Sequence, residues 1–143
     1  IYIGIFGYNL NSLVGMAYPG GPFFNDETIK IITENTDIYY ARAVGSHFTL
    51  KFPERLMAWY PSCYFHPKEF EALEGLTRDF LSADGEEDRL FYLWGHSFEL
   101  DKFGIWDDFE RFCEKIAGRN DICYATNREV ADYQLTEESR RSR

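Results

Sequence analysis

The residue best suited to chemistry in this sequence is His96, which follows the apolar run 90–94 and Gly95. Histidine changes its charge near neutral pH, so it is the natural general acid or base. In parallel α/β folds the reactive groups gather at the carboxyl ends of strands, and the run 90–94 has the composition of a strand buried on both faces. We therefore predict a proton-transferring histidine at a strand end. A histidine held there for purely structural reasons is the alternative.

Acidic side chains follow His96 closely. Glu99 and Asp101 lie within the next five residues, and two carboxylates can act as the acid and the base or nucleophile of a glycosidase. The chain has 24 Asp and Glu residues, so this pair is weak evidence, and a solvated loop is the favoured interpretation of both residues. The sequence has no Gly-x-Ser-x-Gly elbow, phosphate loop or dinucleotide fingerprint, which disfavours serine-based acyl transfer and nucleotide binding.

The histidines do not predict a metal centre. His47, His66 and His96 are separated by 19 and 30 residues, with no short-range histidine pair. A mononuclear site draws three or four ligands from His, Asp, Glu and Cys, often from one helix face or loop. We therefore assign no metal ligand and no cofactor to this chain.

Predicted strands alternate with predicted helices along the chain. Apolar runs predict strands at 13–18, 38–44, 56–60, 90–94 and 122–125. Helical spacing of apolar residues predicts helices at 25–35, from 67 to about 81, at 106–117 and from about 126 to 133. Because the strands lack a two-residue alternation, they favour parallel pairing with helices packed outside, which is an α/β fold.

The amino-acid composition indicates the broad structural class of the chain. The 143 residues are 45% hydrophobic and 27% charged, as in a folded domain. A net charge of −9 disfavours binding to nucleic acid or to an anionic membrane surface. With no apolar run near the roughly 18 residues of a bilayer span and no signal peptide, we expect a soluble, cytoplasmic protein. Cys63, Cys113 and Cys123 show no Cys-x-x-Cys spacing, so we expect free, buried thiols.

Two stretches resemble the polysaccharide deacetylase family: the segment 15–21 with sequence GMAYPGG, and the segment 90–99 with sequence LFYLWGHSFE. Further similar positions, in the family's order and spacing, are 40–42, Trp59 with Pro61 and Cys63, and 122–127 with Glu129. The resemblance implies that residues 1–135 form the C-terminal part of the family's catalytic domain, a partial (β/α) barrel. Residues 136–143 would be a polar, disordered tail.

Members of this family hydrolyse N- or O-acetyl groups of carbohydrates. The resemblance implies a divalent metal, zinc or similar, held by one Asp and two His in the family's N-terminal half. This sequence begins after that half, and its first residue is Ile1 rather than Met. Residues 1–8 would then end the helix that precedes the first strand. We expect the metal only in a full-length relative and not in this chain.

The resemblance also implies roles for individual residues. His96 matches the histidine that protonates the leaving group, and the backbone N–H of Gly20, after Pro19, matches a donor to the oxyanion. Trp59 and Trp94 would line the acetyl or sugar pocket. Ala17 and Tyr18 depart from the family's pattern beside this proline. The implied substrate-binding residues are Tyr18, Pro19, Gly20, Trp59 and Trp94.

The function implied is that of a segment of a metal-dependent carbohydrate deacetylase, inactive by itself because the metal-binding half is absent. The alternative is a non-catalytic carbohydrate-binding or interaction protein on the same scaffold. The expected partner is an acetylated carbohydrate, with no nucleic acid and no membrane. Because half a barrel exposes sheet edges and apolar surface, we also expect self-association or pairing with the missing N-terminal half.

Overall fold

The structure, a computed structural model, describes residues 13–21, 23–82 and 87–141. In this part of the chain, short strands alternate with helices, and the strands that pair do so in parallel. The strands are β1 (Gly15–Ala17), β2 (Tyr40–Arg42), β3 (Cys63–Tyr64) and β4 (Leu93–Trp94). The α-helices are α1 (Asp26–Asn35), α2 (Phe70–Leu81), α3 (Ser97–Phe103), α4 (Trp106–Ile116) and α5 (Asn127–Arg141). The predicted α/β class with parallel strands is confirmed.

The described residues fall into two compact units. The His96 unit contains Gly45–Lys51 and the described part of Pro61–Cys123, and the Tyr18 unit contains 13–44, Phe52–Tyr60 and 124–141. In the Tyr18 unit β1 pairs with β2, and in the His96 unit β3 pairs with β4. A helix separates the two strands in each pair, since parallel neighbours need a crossover connection. Each unit therefore contains one β-α-β arrangement.

Helix α1 and the strand pair β1–β2 share the core of the Tyr18 unit. The buried residues there are Tyr18, Ala41 and Met57, and the residues packed against them are Met16, Phe24, Ile29, Ile32 and Ile38. Asn25 ends the preceding loop, and its side-chain Oδ1 accepts a 2.8 Å hydrogen bond from the backbone N–H of Thr28. This bond satisfies a free donor of the first helical turn, as the predicted N-cap requires.

Helices α2 and α4 cover the core of the His96 unit. Its buried residues are Cys63, Phe65, Leu73, Leu100, Ile105 and Phe112. Leu73 comes from α2 and Phe112 from α4, so the apolar faces predicted for these two helices are confirmed. Helix α3, which the sequence pattern did not predict, contributes Leu100 and ends at Gly104, whose φ of 63° is in the left-handed region.

Two predicted strands are wrong. Leu56–Ala58 is a short 3-10 helix, because Leu, Met and Ala favour helical turns over strands. Only Trp59 of that run pairs, as an isolated parallel bridge to Arg42. The run 122–125 is not a strand either. Its residues 123–125 are exposed, and the described residues offer it no strand partner with which to form a ladder.

Other boundaries differ more modestly. The run 90–94 is partly exposed throughout, and only Leu93–Trp94 pairs, so burial on both faces is wrong. Helix α5 continues through residues 136–141, which the sequence analysis assigned to a disordered tail. The boundary at residue 135 stays a prediction, and the predicted helix end at 1–8 lies outside the described residues. No helix in the described ranges has the length and apolarity needed to cross a membrane.

Candidate functional site

His96 lies at the carboxyl end of β4, two residues after Trp94, and its side chain is exposed. The residue is also the N-cap of α3, and its carbonyl oxygen accepts a 3.0 Å hydrogen bond from the backbone N–H of Glu99. The backbone at His96 is therefore held by a strand on one side and a helix on the other. The imidazole itself remains open to a ligand.

Three aromatic rings surround this imidazole. Phe98 stacks on it with a centroid distance of 5.3 Å and an interplanar angle of 26°. Trp94 meets it edge-on at 5.5 Å, and Tyr64 does so at 6.3 Å. Rings at these distances attract each other and restrict the rotation of a side chain. His96 is thus exposed yet oriented by packing on one face and along its edges.

Tyr64 connects the two strands of this unit through ring contacts. Its ring stacks on Trp94 at 4.4 Å and on His66 at 5.2 Å, and His66 in turn meets Phe103 edge-on at 4.7 Å. The contacts form a continuous series of rings that we call the aromatic path. Its members are Phe98, His96, Trp94, Tyr64, His66 and Phe103.

The carboxylate of Glu99 accepts a hydrogen bond from the hydroxyl of Tyr64, a member of the aromatic path. Glu99 is only 9% exposed and belongs to α3, so its interpretation as a solvated loop residue is wrong. Burial, followed by the hydrogen bond and negative charge of Glu99, holds the pKa of Tyr64 well above its ordinary value. The phenol therefore remains a proton donor to Glu99 across the physiological range.

A second carboxylate, Glu69, holds β3 in place. It accepts hydrogen bonds from the backbone N–H of Tyr64 at 2.9 Å, from Oγ of Ser46 at 2.6 Å and from Sγ of Cys63 at 3.4 Å. Burial, aided by Glu69, raises the pKa of the Cys63 thiol to about 12. This thiol is inert under ordinary conditions, because the thiolate is the nucleophilic form.

Asp101, the second residue of the glycosidase alternative, accepts a 2.7 Å hydrogen bond from Nε1 of Trp106. Glu99 and Asp101 are therefore each engaged by an aromatic donor, from Tyr64 and Trp106 respectively. A glycosidase needs one carboxyl group to donate a proton and the other to attack or activate water. The hydrogen bonds of Glu99 and Asp101 to aromatic side chains are therefore typical of residues that stabilise the fold.

The remaining predicted site residues lie in the Tyr18 unit. Tyr18 is 5% exposed, its hydroxyl donates a 2.8 Å hydrogen bond to the carbonyl oxygen of Met57, and its ring stacks on Phe24 at 4.2 Å. Trp59 is 2% exposed and packs edge-on against Tyr40. Both rings have the contacts of core residues, and their predicted roles in substrate binding stay predictions.

Pro19 and Gly20 form an exposed turn after β1. Gly20 has φ at 74°, in the left-handed region that glycine occupies without strain. A side chain at Gly20 would meet no atom within 4 Å, so the requirement for glycine comes from the backbone conformation rather than from space. The role of this amide as an oxyanion donor stays a prediction.

The described residues do not fit a metal. No group of three or more His, Cys, Asp or Glu side chains in the described ranges is placed to hold an ion. His66 and His96 both belong to the aromatic path, and their rings pack against aromatic neighbours. Of the thiols, only Cys63 is buried; Cys113 is partly buried and Cys123 exposed, which corrects the expectation of three buried cysteines.

Comparisons with models of protein families, with curated proteins and with solved structures found no match to this chain. The resemblance to polysaccharide deacetylases accordingly stays a prediction that rests on the residues quoted for it.

Sequence reasoning missed the residues that hold His96 in place, although an informative pattern was present. Tyr64 and His66 are two residues apart, as are Trp94 and His96, and side chains at that spacing share one face of a strand. The parallel register sets Tyr64 opposite Trp94, which brings both pairs to the same face. Gly95 lies on the other face, where a Cβ atom would contact Cβ of Phe65 at 3.4 Å.

Proposed function

We propose that this chain is a segment of a metal-dependent carbohydrate deacetylase in which His96 protonates the leaving group. The observation that supports the proposal best is the exposed imidazole at the carboxyl end of a parallel strand, oriented by Phe98, Trp94 and Tyr64. Parallel α/β enzymes place reactive groups at that end of their strands. A proton donor needs both access to substrate and a fixed direction, and His96 combines the two.

In the proposed reaction, a water molecule gives one proton to a base located elsewhere in the complete protein, and its oxygen adds to the carbonyl carbon of an acetyl group on a sugar. The bond from that carbon to the sugar nitrogen or oxygen then breaks, and its electron pair stays on the leaving atom. The imidazolium of His96 gives its proton to that atom, and acetate is released.

The metal that the family resemblance implies is not assigned to this part of the chain. Because the described residues contain no suitable ligand group, the proposal places metal binding and activation of water elsewhere in the complete protein. The chain by itself is then expected to bind substrate without turning it over.

The proposed architecture is part of a (β/α) barrel. Its support is the β-α-β arrangement within each unit, in which β1 and β2, and β3 and β4, pair in parallel around an intervening helix. A barrel repeats this arrangement around a closed sheet.

We also propose that the chain self-associates or pairs with an N-terminal half. Exposed apolar side chains in the Tyr18 unit support this, with Phe23 at 83% and Leu13 at 59% exposure.

Association can be measured by size-exclusion chromatography with light scattering over a wide concentration range. The proposal expects a mass that rises with concentration above that of one chain. A single-chain mass throughout, with the chain folded, would contradict self-association.

The alternative, a non-catalytic carbohydrate-binding protein, is favoured by one specific observation. Phe98 is 60% exposed beside His96 and offers its ring to a sugar whether or not a reaction follows. Binding of acetylated oligosaccharides without acetate release from the complete protein would favour this alternative.

Acetate release tests the proposed function. The complete open reading frame that encodes this chain is expressed, and His96→Ala is compared with the original protein on acetylated chito-oligosaccharides. Loss of a general acid typically costs about 10²- to 10⁴-fold in rate, and metal content should not change. His47→Ala, which removes another exposed histidine of the same unit, serves as the matched control and should keep full activity. Turnover retained in His96→Ala would refute the assignment.

A further inference from the structure

Tyr64 makes two contacts that together favour one-electron oxidation of its phenol. Its ring stacks on Trp94 with a centroid distance of 4.4 Å and an interplanar angle of 17°, and its hydroxyl donates a hydrogen bond to the carboxylate of Glu99. Rings stacked at this distance are in direct contact, which lets an electron pass between them. An ionised carboxylate only accepts hydrogen bonds, so Glu99 can take the proton that an oxidised phenol releases.

Trp94 is the partner through which a small oxidant in solution reaches this pair. Of the three tryptophans of the chain, Trp59 is 2% exposed, whereas Trp94 is partly exposed and Trp106 is 50% exposed. A tryptophan radical oxidises a tyrosine near neutral pH. An electron vacancy that forms on Trp94 therefore moves to the stacked ring of Tyr64.

Glu99 makes this movement favourable inside the fold. Loss of an electron alone would place a positive charge on the ring of Tyr64, and a charge held away from water is costly. Glu99 is largely buried and already accepts the hydrogen bond of the phenol. Transfer of the phenolic proton along this bond leaves a neutral phenoxyl radical beside a neutral carboxylic acid. The reaction thus removes a buried charge instead of adding one.

We propose that Tyr64 is a redox-active tyrosine, which takes up the oxidising equivalent of a small one-electron oxidant through Trp94. The oxidant removes one electron from the indole. An electron from Tyr64 then restores the indole, which recovers from water any proton it had released, and the phenolic proton moves to Glu99. A one-electron reductant, such as ascorbate or a thiolate, returns the electron to Tyr64, and Glu99 returns the proton. This role requires neither a sugar nor proton transfer by His96.

Pulse radiolysis with the azidyl radical, a one-electron oxidant that prefers indoles, tests this role in the chain itself. Indole and phenol radicals have separate absorption bands, so the transfer is observed as loss of the first band with matched growth of the second. Trp106→Phe serves as the background, because it removes the most exposed indole. In this background we expect a first-order transfer whose rate constant does not change with protein concentration, as transfer within one chain requires.

Three further variants in this background identify the partners. Tyr64→Phe removes the phenol and should abolish the transfer. Trp94→Phe keeps a ring beside Tyr64 but not an oxidisable indole, so the indole signal that precedes the transfer should be lost. Glu99→Gln keeps an acceptor oxygen for the hydroxyl but offers no base for its proton, so the transfer should become slower.

Tyr39→Phe is the matched control, because the hydroxyl of Tyr39 also bonds to a carboxylate, that of Asp132, while its ring meets Tyr40 edge-on. The transfer should be unchanged in this variant, and its loss there would overturn the assignment to Tyr64.

Circular dichroism shows which variants are folded, and Trp94→Phe, which keeps the Tyr64–Glu99 hydrogen bond, decides the question if Tyr64→Phe does not fold. Transfer at the original rate in folded Tyr64→Phe or Trp94→Phe overturns the proposal, as does the absence of concentration-independent transfer in the background. An unchanged rate in Glu99→Gln overturns the role of Glu99 as the proton acceptor.

Discussion

The hydroxyl of Tyr64 donates a hydrogen bond to the carboxylate of Glu99, which lies 35 residues further along the chain. The bond joins β3 to α3, and the Tyr64 ring that it fixes also contacts Trp94 and His96. One buried carboxylate thereby supports the geometry around the proposed proton donor. Tyr64 and Glu99 are positioning residues in this account, since neither is required to touch substrate.

Tyr64→Phe is expected to destabilise the fold, because the carboxylate of Glu99 loses its donor while it stays buried. An unsatisfied buried polar group costs about 1–3 kcal/mol in free energy of unfolding. Urea unfolding followed by circular dichroism measures the change. Glu99→Gln in the Tyr64→Phe background should cost less than it does alone, since the two side chains share one interaction. Additive costs would show that the bond contributes nothing.

The Cys63 thiol is expected to resist alkylation. Its pKa is raised to about 12 by burial, while Cys123 is exposed. Iodoacetamide at pH 8 should therefore modify Cys123 first and leave Cys63 unmodified until the chain unfolds, as mass spectrometry of peptides can show. Fast modification of Cys63 in the folded chain would contradict its described environment.

From the raised pKa of the Cys63 thiol, we expect the free energy of unfolding to fall at alkaline pH. Its pKa is higher in the folded chain than the ordinary value of 9.0, so the folded state holds the proton more tightly. The raised pKa of the thiol adds to the free energy of unfolding. This stabilisation is fully present below pH 9 and is lost as the pH rises through about 12. Cys63→Ser removes the titrating group and should flatten the curve of unfolding free energy between these values. An unchanged slope would argue against the thiol as its source.

Glu69→Gln is expected to loosen β3. The carboxylate accepts hydrogen bonds from the Tyr64 backbone, Ser46 and Cys63, and an amide can replace only part of this set. A hydrogen bond to a charged group contributes about 1.5–3 kcal/mol to stability, so a loss of this order is expected on denaturant unfolding. Glu71→Gln, on the exposed surface of α2, is the control and should change stability little. Equal stability of the two variants would exclude an anchoring role for Glu69.

Gly15→Ala is expected to destabilise the Tyr18 unit, since a Cβ atom there would fall 1.9 Å from the ring of Tyr40. Overpacking of this kind costs about 1–3 kcal/mol. Gly75→Ala is the matched control: its Cβ would meet only the end of the Arg78 side chain, at 3.9 Å, within α2. Alanine in a helix interior gains about 0.5–1 kcal/mol over glycine, so this variant should be more stable. Tyr40→Ala should reduce the cost of Gly15→Ala, and the absence of any rescue would contradict the clash.

Sequence periodicity predicted the elements that bury a regular face. Leu73 on α2 and Phe112 on α4 recur at helical spacing and are buried as expected. The strand end at His96 was also predicted, because an apolar run that stops at a glycine marks it. Helix α3 was missed, since its seven residues are too few for a periodic pattern. Its left-handed Gly104 stop was the available signal.

The support around His96 could not be predicted in the same way. The Tyr64–Glu99 bond joins residues that meet only through the parallel register of β3 and β4 and the turn into α3. Local patterns carry no information on such a contact. The strand predicted at 56–60 was wrong for a related reason, because within the described residues only Trp59 of this run forms a β-bridge, with Arg42.

We propose that His96 donates a proton to a poor leaving group, and the dependence of the hydrolysis rate on the leaving group tests this role most directly. Hydrolysis rates of an N-acetylated chito-oligosaccharide and of 4-nitrophenyl acetate are measured for the complete protein and for its His96→Ala variant. An amine must be protonated as it leaves, whereas 4-nitrophenolate leaves without a proton. We expect His96→Ala to lower the hydrolysis rate of the sugar amide by about 10²-fold or more and that of the aryl ester only slightly. Equal losses on both substrates, or none on the amide, would contradict it.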